Sequence, residues 1–234
     1  MHGVDVYGDY RATCMRSGRV QVRANTVEKV WSRVLREAGA IVKRSKLLRD
    51  MHVGDFHEST HKIDQRRVDL VAYGLPIFNG LPIACDATLV SPLTGAGEPV
   101  PHACKDEGAA MQVARERKRK QYPEVFNQTV PAATFLVLPC EVGGRWGDEC
   151  LDLVKLLAKC RVQSVPKVLR RSLQYAYTVR WWSMLSVAVQ SAFSASLMDE
   201  AVYHFPDSLY PDPGLVAVMS DTKYEQGPTV SRLG

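Results

Sequence analysis

No window of the 234 residues approaches the eighteen consecutive apolar residues of a membrane span, so a membrane-spanning protein is not expected. None of the six cysteines forms a C-x-x-C pair, which argues against a zinc ribbon and a thioredoxin-type site. The opening Met1-His2-Gly3-Val4-Asp5 lacks the basic-then-apolar layout of a secretory signal. Neither sign of charge dominates: 30 Lys and Arg face 25 Asp and Glu, a net +5. What is present is ordinary for one globular domain, with 46% hydrophobic and 24% charged residues. A chain of this length buries most of its apolar surface without disulfides or structural metals. The composition therefore predicts an intracellular globular protein.

The modest basic excess matters through its placement. Arg115, Arg117, Lys118, Arg119 and Lys120 put five positive charges in six residues, interrupted only by Glu116. Arg161, Lys167, Arg170, Arg171 and Arg180 form a second concentration. Either run could be a solvated helix face or a surface that follows a phosphate backbone.

Thr26 can cap a helix that runs to about Ala38, with Val27, Val30, Val34 and Leu35 on its apolar side and Gly39 stopping it. Ala40-Ile41-Val42 opens an extended segment, and 50–66 is polar and loop-like. Val68 to Tyr73 and Ile83 to Val90 read as two strands of a hairpin. A Pro- and Gly-rich loop covers 91–106, and a helix follows from about Gly108 to Tyr122. Thr134 to Leu138, bounded by Pro131 and Pro139, reads as a buried strand. Asp148–Arg161 is an amphipathic helix, about 167–198 a long helical region, and a Pro-rich tail starts at Pro206. The order predicts a mixed α/β (α+β) core with a helical C-terminal layer.

Two carboxylates fall in the middle of the hairpin strands, where an unpaired charge is costly. Two registers are open. A six-residue loop over 75–80 sets Asp69 opposite Asp86, with Cβ atoms roughly 5 Å apart. A tight Asn79-Gly80 turn instead pairs Asp69 with Val90 and separates the two carboxylates by roughly 13 Å. On one face, the pair would invite a hard cation; singly, each could be an edge carboxylate bonded to backbone. Ala110, Ala114, Lys118 and Tyr122 recur every four residues along the next helix. If the alanines pack on the sheet, Lys118 and Tyr122 point towards the carboxylates while Lys120 faces away. A lysine there can hold an attacking water and stabilise a phosphorane.

The segments Arg66-Arg67-Val68-Asp69-Leu70-Val71, Asp86-Ala87-Thr88-Leu89-Val90 and Arg117-Lys118-Arg119-Lys120-Gln121-Tyr122 resemble a known pattern. It is that of the restriction-like endonuclease domain at the C-terminus of site-specific non-LTR retrotransposon proteins, a branch of the PD-(D/E)XK nuclease superfamily. Leu138-Pro139-Cys140-Glu141-Val142-Gly143-Gly144-Arg145-Trp146 and Arg180-Trp181-Trp182 extend the resemblance, which covers roughly 25–200. It implies an αβββαβ core over 25–146, a helical layer over 147–200 and a tail over 201–234. It implies Asp69 and Asp86 as ligands of Mg²⁺ (or Mn²⁺), Lys118 and Tyr122 as their catalytic partners, and Glu28 as a further acidic residue from the first helix. Arg115, Arg117, Arg119 and Lys120 would hold DNA, with element RNA a further partner and the nucleus the setting. Cleavage would leave a 3′ hydroxyl to prime reverse transcription. The alternative is a catalytically silent remnant that binds nucleic acid without cutting it.

The chain departs from the pattern at three places. Val68 stands where a proline usually precedes the first aspartate. Thr88 takes the third place of the D-x-K triplet, so the lysine must come from the helix. Residues 1–24 resemble the end of a zinc knuckle, with Tyr10 where a histidine is expected beside Cys14, so that zinc site is expected to be lost.

Other constellations weigh less. His57 and His61 have the spacing of helical metal ligands, and His52 lies near, but the stretch is polar and better read as a loop. Cys85 and Cys140 read as small buried hydrophobes, and Cys104, Cys150 and Cys160 show no ligand spacing. Gly143-Gly144 lacks the ending of a phosphate loop. Trp181 and Trp182 could stack on bases, but helix packing explains them better.

Overall fold

The computed structural model describes residues 19–51, 64–94, 98–126, 132–198 and 213–221. Tyr10, Cys14, His52, His57 and His61 lie outside these residues. Helix α1 spans Arg19–Glu37, followed by strands β1 (Ile41–Leu47), β2 (Arg67–Tyr73) and β3 (Ile83–Val90). Helix α2 (Ala109–Gln121), the short α3 (Pro123–Phe126) and strand β4 (Thr134–Glu141) come next. Helices α4 (Asp148–Arg161), α5 (Lys167–Met198) and α6 (Leu215–Asp221) follow. The order is the mixed α/β succession expected.

The sheet runs β1-β2-β3-β4. β1, β2 and β3 are antiparallel neighbours, whereas β4 lies parallel to β3, with Asp86 opposite Val137 and Thr88 opposite Pro139. A parallel neighbour requires a crossover, and the segment carrying α2 supplies it. β4 is longer than expected because it continues through Pro139 to Glu141. Proline offers no N–H to a ladder, and an edge strand tolerates this where a central strand does not.

Alternation along β2 and β3 divides the interior. Leu70, Ala72, Ile83, Cys85 and Ala87 join the main core with α1, α4 and α5. Val71 and Ala84 join a smaller cluster with Leu48, Tyr122 and Val125. Helix α1 buries Val27, Val30, Trp31, Val34 and Leu35 at the expected spacing. It begins earlier than the capping signal suggests, so Thr26 is a buried mid-helix residue and not the cap. Its end is as expected. Gly39, at φ +103°, donates to the Arg36 carbonyl (2.8 Å) and Ala40 to that of Leu35 (3.0 Å), the paired closure of a Schellman motif.

The helical layer shares the main core. Trp146 packs edge-on against Trp31 at 5.9 Å and tilted against Trp182 at 5.5 Å, while Trp181 is buried against Tyr177. Both α5 tryptophans are therefore packing residues. Within the segment expected to be a tail, Leu215–Asp221 is helical and seats Val218, fully buried, in the main core. A buried apolar anchor overrides the Pro-rich composition around it.

Candidate active site

The β2–β3 ladder pairs Ala72 with Ile83, Val71 with Ala84 and Leu70 with Cys85. One further step sets Asp69 across from Asp86, the first of the two registers considered. By alternation both carboxylates lie on the face of Val71 and Ala84, which α2 and Tyr122 cover. Where the ladder stops, the Ala87 N–H donates to Asp69 Oδ2 at 2.9 Å. Asp69 thus supplies a side-chain acceptor at the point where the two strands cease to pair.

Asp86 is 1% exposed and is partnered on both oxygens. Lys118 Nζ lies 2.9 Å from Oδ2 and 2.8 Å from Oδ1, and the Thr88 hydroxyl donates to Oδ1 at 3.2 Å. Helix α2 delivers the lysine as its spacing requires: Ala110 and Ala114 are buried, Lys118 is one turn on, and Lys120 is exposed. The Tyr122 ring is buried, 5.3 Å from Phe135, and the Lys118 ammonium stands 6.0 Å from its centre. The Tyr122 hydroxyl donates to the Arg67 carbonyl at 2.9 Å, which ties the end of α2 to the start of β2. Arg66 makes a second tie: it is held by Asp64 and donates to the Gln121 carbonyl at 2.5 Å.

The electrostatics follow from this crowding. Burial, then the charges of Asp86 and Glu28, push Asp69 up to about 8, against the pull of Lys118 and the Ala87 N–H. Burial and the same two aspartates also raise the Tyr122 phenol and the Cys85 thiol. Tyr122 therefore stays protonated and acts as a hydrogen-bond donor, while Cys85 is an inert thiol of the core. Cys140 and Cys150 are likewise buried with raised thiols.

Among the described residues, no group of three or more His, Cys, Asp and Glu side chains could hold a metal ion. Asp69 and Asp86 still fit a hard cation that keeps waters and substrate oxygens. Mg²⁺ needs only one or two carboxylates from the protein. Two acidic groups share one face, and burial, followed by the charge of Asp86, raises Asp69 despite the nearby Lys118.

Glu28 is brought near the carboxylates from the first helix. It belongs to α1, which packs on the opposite face of the sheet, and it is engaged by Arg44 at 3.5 Å. Its charge bears on Asp69, and its side chain serves the α1–β1 contact. Arg115 also departs from expectation, because it forms an ion pair with Glu149 of α4 instead of facing solvent with the rest of the run. Arg117, Arg119 and Lys120 are exposed. The second basic concentration is largely structural. Arg161 lies over the Tyr177 ring at 5.7 Å, Arg170 closes the carbonyls of Gln163 (2.7 Å) and Val165 (2.9 Å), and Arg180 pairs with Glu37.

Thr88 and Arg66 escaped assignment from sequence. Thr88 sits two residues beyond Asp86 on the same strand face, and that spacing is the signal that could have found it. No family model matches the chain, and no curated protein is detectably similar to it.

Proposed function

We propose that this chain is a divalent-cation-dependent DNA endonuclease domain with a restriction-like αβββαβ core of retroelement origin. The observation that carries the reading is the Asp69–Asp86 juxtaposition with Lys118 bonded to Asp86 and Tyr122 behind it. Asp69 and Asp86 would hold Mg²⁺ or Mn²⁺ at the scissile phosphate. Bound there, the cation supplies Lewis-acid stabilisation of charge on the phosphate oxygens.

Lys118, one ammonium hydrogen-bond length from Asp86, orients the attacking water through its remaining N–H donors. It also places positive charge where the phosphorane becomes more negative. Thr88 fixes the Asp86 carboxylate. Tyr122 keeps the end of α2 seated, so that Lys118 stays in reach. Water attacks phosphorus, the P–O3′ bond breaks and the departing oxygen takes a proton, leaving a 3′ hydroxyl and a 5′ phosphate. Arg117, Arg119 and Lys120 line the exposed side of α2, where they meet the DNA backbone.

Nicking of supercoiled plasmid in Mg²⁺, Mn²⁺ and EDTA, beside Asp86→Ala and Asp69→Asn, tests the reading. The expected outcome is cation-dependent nicking that both substitutions abolish. Wild-type protein that binds DNA yet never nicks it overturns catalysis and leaves a silent nucleic-acid-binding remnant.

A further inference from the structure

Beside the carboxylates a groove of about 410 Å³ opens between α1, the C-terminal end of β3 and α2. Its volume is that of a small-ligand site. Lys118 and Thr88, which both bond Asp86, also line this groove, so the two sites share a wall. The charged side chains lining it are Arg23, Arg117 and Lys118, and among the described residues none of its lining is acidic. Arg23 is 2% exposed, a guanidinium-bearing side chain placed in the interior by α1. The remaining wall sets the hydroxyls of Thr88, Ser91 and Thr94 beside apolar side chains, with Leu93, Val100 and Val142 among them. Basic and apolar side chains lining one groove match a molecule that combines an anionic group with a flat, weakly polar body.

We propose that the groove holds one unstacked nucleotide of the strand being cut. Its phosphate lies at Arg117 and Lys118, and its base lies against Leu93, Val100 and Val142. Guanidinium groups present paired donors that suit phosphate oxygens. Apolar side chains can flank a base taken out of its stack, as aromatic ones do. The inference rests on the nuclease reading for the strand's fate, not for the binding itself. It adds a substrate preference: cleavage favours DNA whose nucleotide beside the scissile bond can leave the helix.

Binding measured in EDTA separates this inference from catalysis. The probes are a single-stranded oligodeoxynucleotide of about eight nucleotides and an abasic strand of equal length, read by fluorescence anisotropy. The wild type is expected to bind the base-bearing strand about tenfold more tightly, within the range that one stacked base contributes. Val113 lines the groove, is 48% exposed and lies five residues before Lys118 on α2, so Val113→Trp fills the space without emptying a core position. It should bring the base-bearing strand down to the affinity of the abasic one. Arg117→Gln should weaken both strands alike. Equal binding of the two strands by the wild type, or a Val113→Trp protein that keeps the preference, overturns the groove assignment. Plasmid nicking without base preference sinks the groove and leaves the nuclease standing; base preference without nicking does the reverse.

Discussion

Glu37 shows how a single charged residue can organise an interior. It is 3% exposed at the end of α1, yet it accepts from Arg33 Nε (3.0 Å), Arg180 Nε (3.0 Å) and Trp181 Nε1 (2.9 Å). Burial pushes its carboxyl up, but the hydrogen bond and charge of Arg180, with Trp181 and Arg33, outweigh this and hold it below the usual carboxylate range. Glu37→Gln leaves Arg180 without its countercharge and is expected to cost about 3–5 kcal/mol in urea denaturation. The lowered value also fixes the sign of a pH effect. The stabilisation is complete above the unfolded value of 4.5 and is lost as pH falls through the lower folded value. The Glu37→Gln protein should therefore show a flatter stability profile below pH 4.5 than the wild type.

At the scale of elements, β4 and α4 are closely joined. Gly147 donates to the Pro139 carbonyl at 3.0 Å, and a Cβ on it would stand 2.7 Å from Pro139 Cγ. The proline ring cannot swing away as a flexible side chain would. Gly147→Ala is expected to cost about 1–3 kcal/mol, read as a lowered urea midpoint with unchanged slope. The elements themselves were largely legible. β-branched content marked β2 and β3, and 3.6-residue spacing marked α1 and α4. The β2–β3 register was not, because both turn lengths suit the residues. Asn79 and Gly80 do adopt the left-handed conformations of a tight turn, at φ +58° and +76°, but within a nine-residue connection over 74–82. Alternation puts Asp69 and Asp86 on a common face in either register, but only the observed one sets them opposite each other. The α2 spacing that delivers Lys118 was legible throughout. The pairing of Arg115 with Glu149 was not, since it joins helices whose approach no local pattern encodes.

Across the whole molecule, one sheet face carries the main core and the other the carboxylates. Among the described residues no helix is long and apolar enough to cross a membrane. With Arg115 paired to Glu149, the exposed basic side chains of the run are Arg117, Arg119 and Lys120. On the proposed nuclease reading, Arg119→Gln with Lys120→Gln removes two phosphate contacts and should lower the slope of log affinity against log salt by about 2. Fluorescence titrations of duplex DNA at several salt concentrations, without divalent cation, measure it. An unchanged slope would place the DNA elsewhere.

The bond from Trp181 to Glu37 joins residues 144 positions apart. During synthesis at about 5–20 residues per second, α1 emerges roughly 7–29 s before the tryptophan that completes its burial. Through that interval Trp31, Val34 and Leu35 lack the α5 cover that the finished protein gives them. Slowing translation over 148–180 would therefore lengthen the time these apolar side chains stand open to aggregation.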